Sequence, residues 1–217
     1  MTLGLRQPPD STRPRAVLFD LLTALMDSWT LWDNVAGNIE DGRRWRAAYL
    51  KSTYAEGRYR PYEILVREAA LAAGLSADLS DRLVERYSEL APWPEVAEVV
   101  GPLQGQVPIG VVTNCSETLG QLATARTGIS FDAIVTAERV GFYKPHPRTY
   151  RLALHELRVE PQECLFVAGS AYDLFGAAAV GLPVFWHDRI GMTMPPDAPP
   201  PLMRRGSLHP LKELCVG

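Results

Sequence analysis

Separated stretches of this 217-residue chain carry groups able to do chemistry: Asp20, Arg46, Thr113-Asn114, Lys144, Ser170 and Asp173. Asp20 closes the apolar run Ala16–Asp20, with Leu21 and Leu22 behind it. A carboxylate in such company is costly to bury unless it is paired or hydrogen-bonded, so Asp20 is either a structural cap or a group kept for reaction. Asp173 supplies a second carboxylate and Lys144 a cation. Such a set offers a nucleophile, a proton acceptor and a charge partner, or a structural ion pair. Thr113, Asn114 and Ser170 are short polar side chains that hold oxygen atoms or form strand-end turns and helix caps. Arg46 carries a planar donor fork suited to anions. Cys115 has no histidine beside it to activate it and reads as a small buried side chain. His146, with no second ligand, reads as a surface residue.

Five short runs rich in Val, Ile, Leu and Phe would position these groups: Arg15–Asp20, Val107–Thr113, Asp132–Ala137, Cys164–Ala168 and Pro183–Trp186. Helical patterns separate most of them, as over Ser116–Thr127 and Pro147–Leu157. Strands alternating with helices predict an α/β fold, a parallel sheet covered on both faces. In such sheets ligands bind beyond the carboxyl ends of the strands. Asp20, Thr113-Asn114 and Ala168-Gly169-Ser170 all fall at strand ends, and Lys144 and Asp173 lie in the following loops, so all converge on one mouth. The interval 28–91 contains no convincing strand. Apolar residues recur there at three- and four-residue steps, predicting helices near Trp29–Ile39, Gly42–Ala55, Pro61–Ala73 and Ala77–Leu90. The chain thus divides into a flexible N-terminal segment (1–14), a Rossmann-like core (15–27 and 92–217) and an all-helical insert after the first strand (28–91), with Pro92-Trp93-Pro94 as the return hinge. Met194–Pro201 reads as a proline-rich surface loop.

Composition narrows the partners. Net charge is −3, 47% of residues are hydrophobic, and basic residues cluster only in pairs, so nothing advertises a nucleic-acid or anionic-membrane surface. Leu165–Trp186 holds a single charge, but Gly169-Ser170 and Gly181-Leu182-Pro183 punctuate it, so it reads as strand, loop, helix and strand rather than a membrane span. Three widely spaced cysteines make no zinc pattern, and with no apolar leader at the N-terminus the expected location is the reducing cytoplasm.

Over Arg15 to about Ile190, the ordered set of Asp20, Thr113, Lys144-Pro145 and Asp173 resembles the haloacid dehalogenase superfamily. In that superfamily an Asp at the end of strand one is the nucleophile. Its phosphatases carry a second Asp two residues later and an acid in the fourth motif that holds Mg²⁺; here those positions are Leu22 and Gly169. Asp20 and Asp173 alone make a poor magnesium site, since a hard divalent cation needs several oxygen donors. The L-2-haloacid dehalogenase branch lacks both acids, and RWRAAYL, YKPHPRTY and LFVAGSAYDLFGA are similar to its segments. Thr23-Ala24 stands where that branch has Gly-Thr, Ser170 where it commonly has Asn, and Ala168 where it has Ser.

The resemblance implies hydrolysis of a carbon–halogen bond beside a carboxylate on a small 2-haloacid, without metal or cofactor. Asp20 would attack the carbon and form an ester. Lys144 would keep Asp20 ionised, and Thr113 and the backbone N–H groups after Asp20 would hold its other oxygen. Arg46, assisted by Asn114 and with Tyr150 nearby, would receive halide or substrate carboxylate. Leu22, Trp45 and Tyr49 would form an apolar wall. Asp173, with Ser170 and Lys144 nearby, would orient or deprotonate the water that cleaves the ester. The insert would act as a cap, and the resemblance also suggests a homodimer. A phosphatase with an atypical metal site, a hydrolase of another carbon–heteroatom bond and a non-catalytic binding protein are the alternatives.

Overall fold

In the computed structural model, residues 13–215 are described. The lead-in expected over 1–14 lies outside them, apart from Arg13 and Pro14.

The centre is a parallel sheet of β1 (Ala16–Asp20), β2 (Ile109–Thr113), β3 (Ala133–Thr136), β4 (Cys164–Ala168), β5 (Val184–His187) and β6 (Met203–Arg205), in the order β3-β2-β1-β4-β5-β6. The chain runs outward from β1 through β2 to β3, then returns to place β4 on the other side of β1. That reversal puts the switch in strand order beside the end of β1, where open α/β sheets hold ligands. β1 is buried on both faces. Val17 and Phe19 join one apolar cluster and Ala16 and Leu18 the other, as the two-residue strand repeat requires. Full burial of Val17, Leu18 and Phe19 contributes roughly 1.5–3 kcal/mol each, which is why β1 reads as an unbroken apolar run.

Between β1 and β2 comes the helical insert: α1 (Ser28–Ala36), α2 (Ile39–Glu56), α3 (Tyr62–Ala72) and α4 (Leu79–Glu85). The first expected helix ends three residues early. Gly37 turns left-handed at φ 89°, and Asn38 Oδ1 accepts from Asp41 N at 2.9 Å to cap α2, so Ile39 belongs to the next helix. Glu40 and Asp41 in the first turn complement the α2 dipole. The last expected helix splits, because a single tight turn at Tyr87–Glu89 follows α4 and seats the Tyr87 hydroxyl 3.3 Å from Cys115 Sγ. The chain leaves and re-enters the core side by side: Met26 bridges Pro92, Asp27 N donates to Ala91 O at 2.8 Å, and Trp93 N to Leu25 O at 2.9 Å.

After β2 come α6 (Glu117–Arg126), β3, α7 (Ala137–Val140) and α8 (Pro147–Leu157). The stretch read as a possible membrane span is β4, a loop, α9 (Asp173–Ala179) and β5. Short α5 (Val96–Val100) precedes β2. Five strands were expected and six form. β6 and α10 (Leu211–Cys215) follow the proline-rich loop, and β6 is a three-residue edge strand with exposed Arg204 and Arg205. Among the described residues no helix is long and apolar enough to cross a membrane.

Candidate active site

β1 delivers Asp20 to the switch point, and the turn after it wraps back on the carboxylate. Thr23 N (2.9 Å), Thr23 Oγ1 (2.7 Å) and Ala24 N (3.1 Å) all donate to Asp20 Oδ2. Lys144 Nζ donates to Oδ1 at 2.7 Å. Burial alone would push the carboxyl up, but Lys144 and Thr23 outweigh it and hold the Asp20 pKa below the usual carboxylate value. The same ammonium lies 2.9 Å from Asp173 Oδ1, at the start of α9. Asp173 is fully buried, and there desolvation wins over the attraction of Lys144, raising its pKa. Lys144 is also desolvated, yet Asp173 and Asp20 raise its pKa and keep it charged.

Asn114 sets the position of Lys144. Its Oδ1 accepts from Lys144 N at 2.7 Å and its Nδ2 donates to Lys144 O at 3.3 Å. The Tyr49 hydroxyl from α2 donates in turn to Asn114 O at 2.9 Å. Asn114, expected to assist at the halide, borders the cavity but first anchors the lysine backbone.

Gly169 has a steric cause. A Cβ there would lie 2.1 Å from Ala24 N and 2.4 Å from Thr23 Oγ1. The β4 turn therefore supports the loop that grips Asp20 only while residue 169 has no side chain.

One face of α2 closes the site from above. Arg46, Tyr49, Leu50, Thr53 and Tyr54, at steps of three and four, line a small cavity with Asp20, Leu22, Thr23, Thr113, Asn114, Lys144 and Ser170. Arg46 is 1% exposed. Its guanidinium carbon lies 4.7 Å from the Trp32 ring centre, 5.2 Å from Tyr49 and 5.7 Å from Trp29. Nη2 donates to Ser28 Oγ at 3.1 Å, while Nε and Nη1 are buried without a partner. Two donors without a protein partner on a buried cation leave it free to receive an anion.

The remaining expected residues divide between the cavity wall and the packing around it. Thr113 borders the cavity, but its hydroxyl donates to Cys115 Sγ at 3.3 Å, and Thr23 takes the role expected of it on Asp20. Trp45 is not in the cavity wall: its ring packs tilted against Trp32, centroids 4.3 Å apart, and it donates to Val66 O at 2.9 Å, holding the insert together. Tyr150 is buried against Phe166 and Gly176, also outside the wall. Ser170 borders the cavity, and its Oγ accepts from Tyr172 N at 3.3 Å, shaping the turn into α9. Leu22 is in the wall. Cys115 is buried, its thiol pushed up by desolvation. His146 caps α8, its Nδ1 accepting from Arg148 N at 3.3 Å.

Tyr54 and Thr23 escaped sequence reasoning. Tyr54, whose hydroxyl donates to Asp173 Oδ1, follows from Arg46 by extending its face of α2 two turns. Thr23 is a hydroxyl three residues after a carboxylate, a spacing that favours a local side-chain-to-backbone turn.

The donors present do not fit a divalent cation. Both Asp20 oxygens are taken, Lys144 Nζ sits between the two carboxylates, and no acid can stand at 169 without displacing Thr23-Ala24. Among the described residues no cluster of three potential His, Cys, Asp or Glu ligands occurs.

Comparison with known proteins places the chain among similar sequences and folds. The family model for haloacid dehalogenase-like hydrolases matches residues 15–181. (S)-2-haloacid dehalogenase 1 of Pseudomonas sp. (strain CBS-3) is 29% identical, over 93% of this chain and 96% of that protein. An (S)-2-haloacid dehalogenase of Pseudomonas putida is 30% identical over 68% of this chain and 70% of its own. Among solved structures, the L-2-haloacid dehalogenase of Xanthobacter autotrophicus superposes with a TM-score of 0.80 at 24% identity, covering 93% of this chain and 98% of that one. A dehalogenase crystallised as an intermediate complex gives 0.81 at 26% identity, covering 94% and 98%. With a parallel core, a helical insert after β1 and a family model that matches residues 15–181, the chain belongs to the haloacid dehalogenase-like hydrolase family.

Proposed function

We propose that the protein hydrolyses the carbon–halogen bond of a small (S)-2-haloacid through an ester on Asp20. The observation that carries this reading is the arrangement around Asp20 and Arg46. A lysine-paired carboxylate faces, across a small cavity, a buried arginine with two unpartnered donors. The names of the relatives point the same way.

The two oxygens of Asp20 have separable duties. Oδ1, on Lys144, is the attacking atom. Its lone pair forms the bond to carbon as the carbon–halogen pair leaves with the halide. Oδ2, held by Thr23 N, Thr23 Oγ1 and Ala24 N, becomes the ester carbonyl oxygen. Those donors then face the oxyanion that develops when water adds to the Asp20 carbonyl. Arg46 offers its free donors to the departing halide or the substrate carboxylate. Leu22 and Leu50 exclude bulk water, and Asp173 accepts the water's proton. Residues 28–91 act as a cap whose movement admits substrate. Three free buried cysteines suit a cytoplasmic location, which is part of this proposal.

The test is a single turnover of a 2-haloacid in ¹⁸O-water. Label should enter the Asp20 side chain; label in the product alone during that turnover means direct attack by water and overturns the reading. Halide release should persist in excess EDTA. Phosphate release from an ester that depends on added Mg²⁺, with no halide release, would establish the phosphatase alternative instead.

A further inference from the structure

We propose that Tyr54 is a catalytic residue of the hydrolytic half-reaction: its hydroxyl takes a proton from the attacking water while handing its own to Asp173. The proposal rests on the dehalogenase reading and adds a residue, carried by the insert, to the cleavage of the ester.

Asp173 by itself is badly placed to touch water. It is 0% exposed and does not line the cavity. Its Oδ1 receives both Lys144 Nζ, at 2.9 Å, and the Tyr54 hydroxyl, and its Oδ2 is buried with no partner. Both donors do line the cavity, so whatever passes between the cavity and Oδ1 passes through one of them. An ammonium has no lone pair and cannot accept a proton, and the two carboxylates keep Lys144 in that form. A phenol donates and accepts at once. With its O–H on Asp173, the Tyr54 oxygen keeps lone pairs for a water in the cavity.

The step balances. The water oxygen bonds to the carbonyl carbon of the Asp20 ester, and the carbonyl π pair moves onto Oδ2. The water's proton goes to the Tyr54 oxygen as Tyr54's proton goes to Asp173. Collapse then breaks the bond from that carbon to the product oxygen. The leaving alkoxide takes a proton back from Asp173 along the same path in reverse, giving the 2-hydroxy acid. Asp20, now a carboxylic acid, loses its proton to solvent. Burial and the nearby Asp173 charge raise Tyr54's own pKa well above the ordinary phenol value, so no free phenolate forms and the two transfers are concerted. The groups that bear on Asp173 are Lys144 from the loop before α8, Asp20 from β1, Tyr54 from α2 and Tyr150 from α8. Tyr54 alone comes from the insert, so the relay exists only while the insert is seated on the core.

Tyr54→Phe removes the hydroxyl and keeps the ring, which packs 5.2 Å from Tyr172. Full-length protein is mixed with (S)-2-chloropropionate and quenched at intervals. Halide is measured for the first step and the Asp20 ester, by intact mass, for the second. In the variant, first-turnover halide release should match the unaltered protein, while ester hydrolysis slows by ~10²-fold and the ester accumulates. The rate of hydrolysis in mixtures of light and heavy water should bend in the unaltered protein, reporting two protons in motion, and become linear in the variant. Normal hydrolysis in Tyr54→Phe shows that water reaches Oδ2 directly and overturns the proposal. Equal slowing of both steps shows a structural role and overturns it too. Failure of the unaltered protein to form any ester overturns the dehalogenase reading itself, and this inference with it.

Discussion

A single ammonium, Lys144, sits between two carboxylates whose pKa values are displaced in opposite directions. Asp20 falls below the ordinary range and Asp173 rises above it. On the proposed mechanism, the displacement step needs ionised Asp20 and the hydrolysis step ionised Asp173. In the resting protein these opposed shifts mean that Asp173 takes up its proton before Asp20 as pH falls, so on that mechanism hydrolysis should fail before displacement. Acid-quenched samples taken across a pH series should therefore show the Asp20 ester building up on the acid side while first-turnover halide release is still undiminished; simultaneous loss of both would contradict the assignment. Arg46 presents the reverse relation of stability to activity. A buried cation with two unmade hydrogen bonds carries a desolvation cost that an apolar side chain of similar length does not, and among the described residues no carboxylate pairs with Arg46 directly. Arg46→Met should leave the thermal midpoint unchanged or raise it, while halide release falls by ~10²- to 10³-fold. Calorimetry and halide release measured on the same preparation check both. Asp20, Lys144 and Asp173 are legible in the sequence because each is a charged residue beside an apolar strand or at its loop. Thr23 and Tyr54 are not, because a threonine in a turn and a tyrosine on an amphipathic helix are commonplace, and only the third dimension shows that each hydroxyl meets a carboxylate.

Two elements position the chemistry: the turn after β1 and helix α2. The turn is clamped from below by Gly169 and from the side by Trp93, whose Nε1 donates to Thr23 O at 3.1 Å, and by His187, whose Nδ1 lies 2.8 Å from Ala24 O. A methyl group at residue 169 has nowhere to go except into the Thr23-Ala24 backbone. Gly169→Ala should therefore cost about 1–3 kcal/mol, read as a lower urea midpoint. It should also slow halide release, because the donors on Asp20 Oδ2 move with the turn. Unchanged activity would mean that the turn gives way without disturbing Asp20. α2 carries the whole insert contribution to the cavity on one face, and its periodicity is plain in the sequence from Trp45, Tyr49 and Leu50. The strands of the core are equally plain as runs of Val, Ile, Leu and Phe. Helix ends are less so: Asn38 and Gly37 reassign Ile39 through local hydrogen bonding that apolar spacing does not report. β6 carries no signal at all, since three residues with two exposed arginines have neither length nor alternation, and such charge is how edge strands resist further pairing.

At the scale of the whole molecule, the insert touches the core through its paired connections and again through a bridge between Arg58 and Phe142. Tyr59 N donates to Gly141 O at 2.9 Å and Tyr143 N to Gly57 O at 2.8 Å, on either side of that pair. A facing pair flanked in this way has Cα atoms about 4.5 Å apart, within the span of a disulfide. Arg58→Cys with Phe142→Cys should tie the insert shut. Turnover should stop on oxidation and return with dithiothreitol, and turnover that continues when oxidised would show that substrate reaches the cavity without the insert lifting. The closed site contains a charge pattern with a consequence for what leaves it. Asp20 and Asp173 are matched by Lys144 and Arg46, so the empty cavity is electroneutral. A haloacid adds one negative charge with its carboxylate. Forming the ester removes the charge of Asp20 and creates the halide, so the cavity is one charge negative while the halide stays and neutral once it goes. Halide is thus expelled from a site that its own departure balances. A haloalkane without the carboxylate would invert this, leaving the cavity positive after release and retaining the halide, so the acid group of the substrate acts as an ejector as well as a handle.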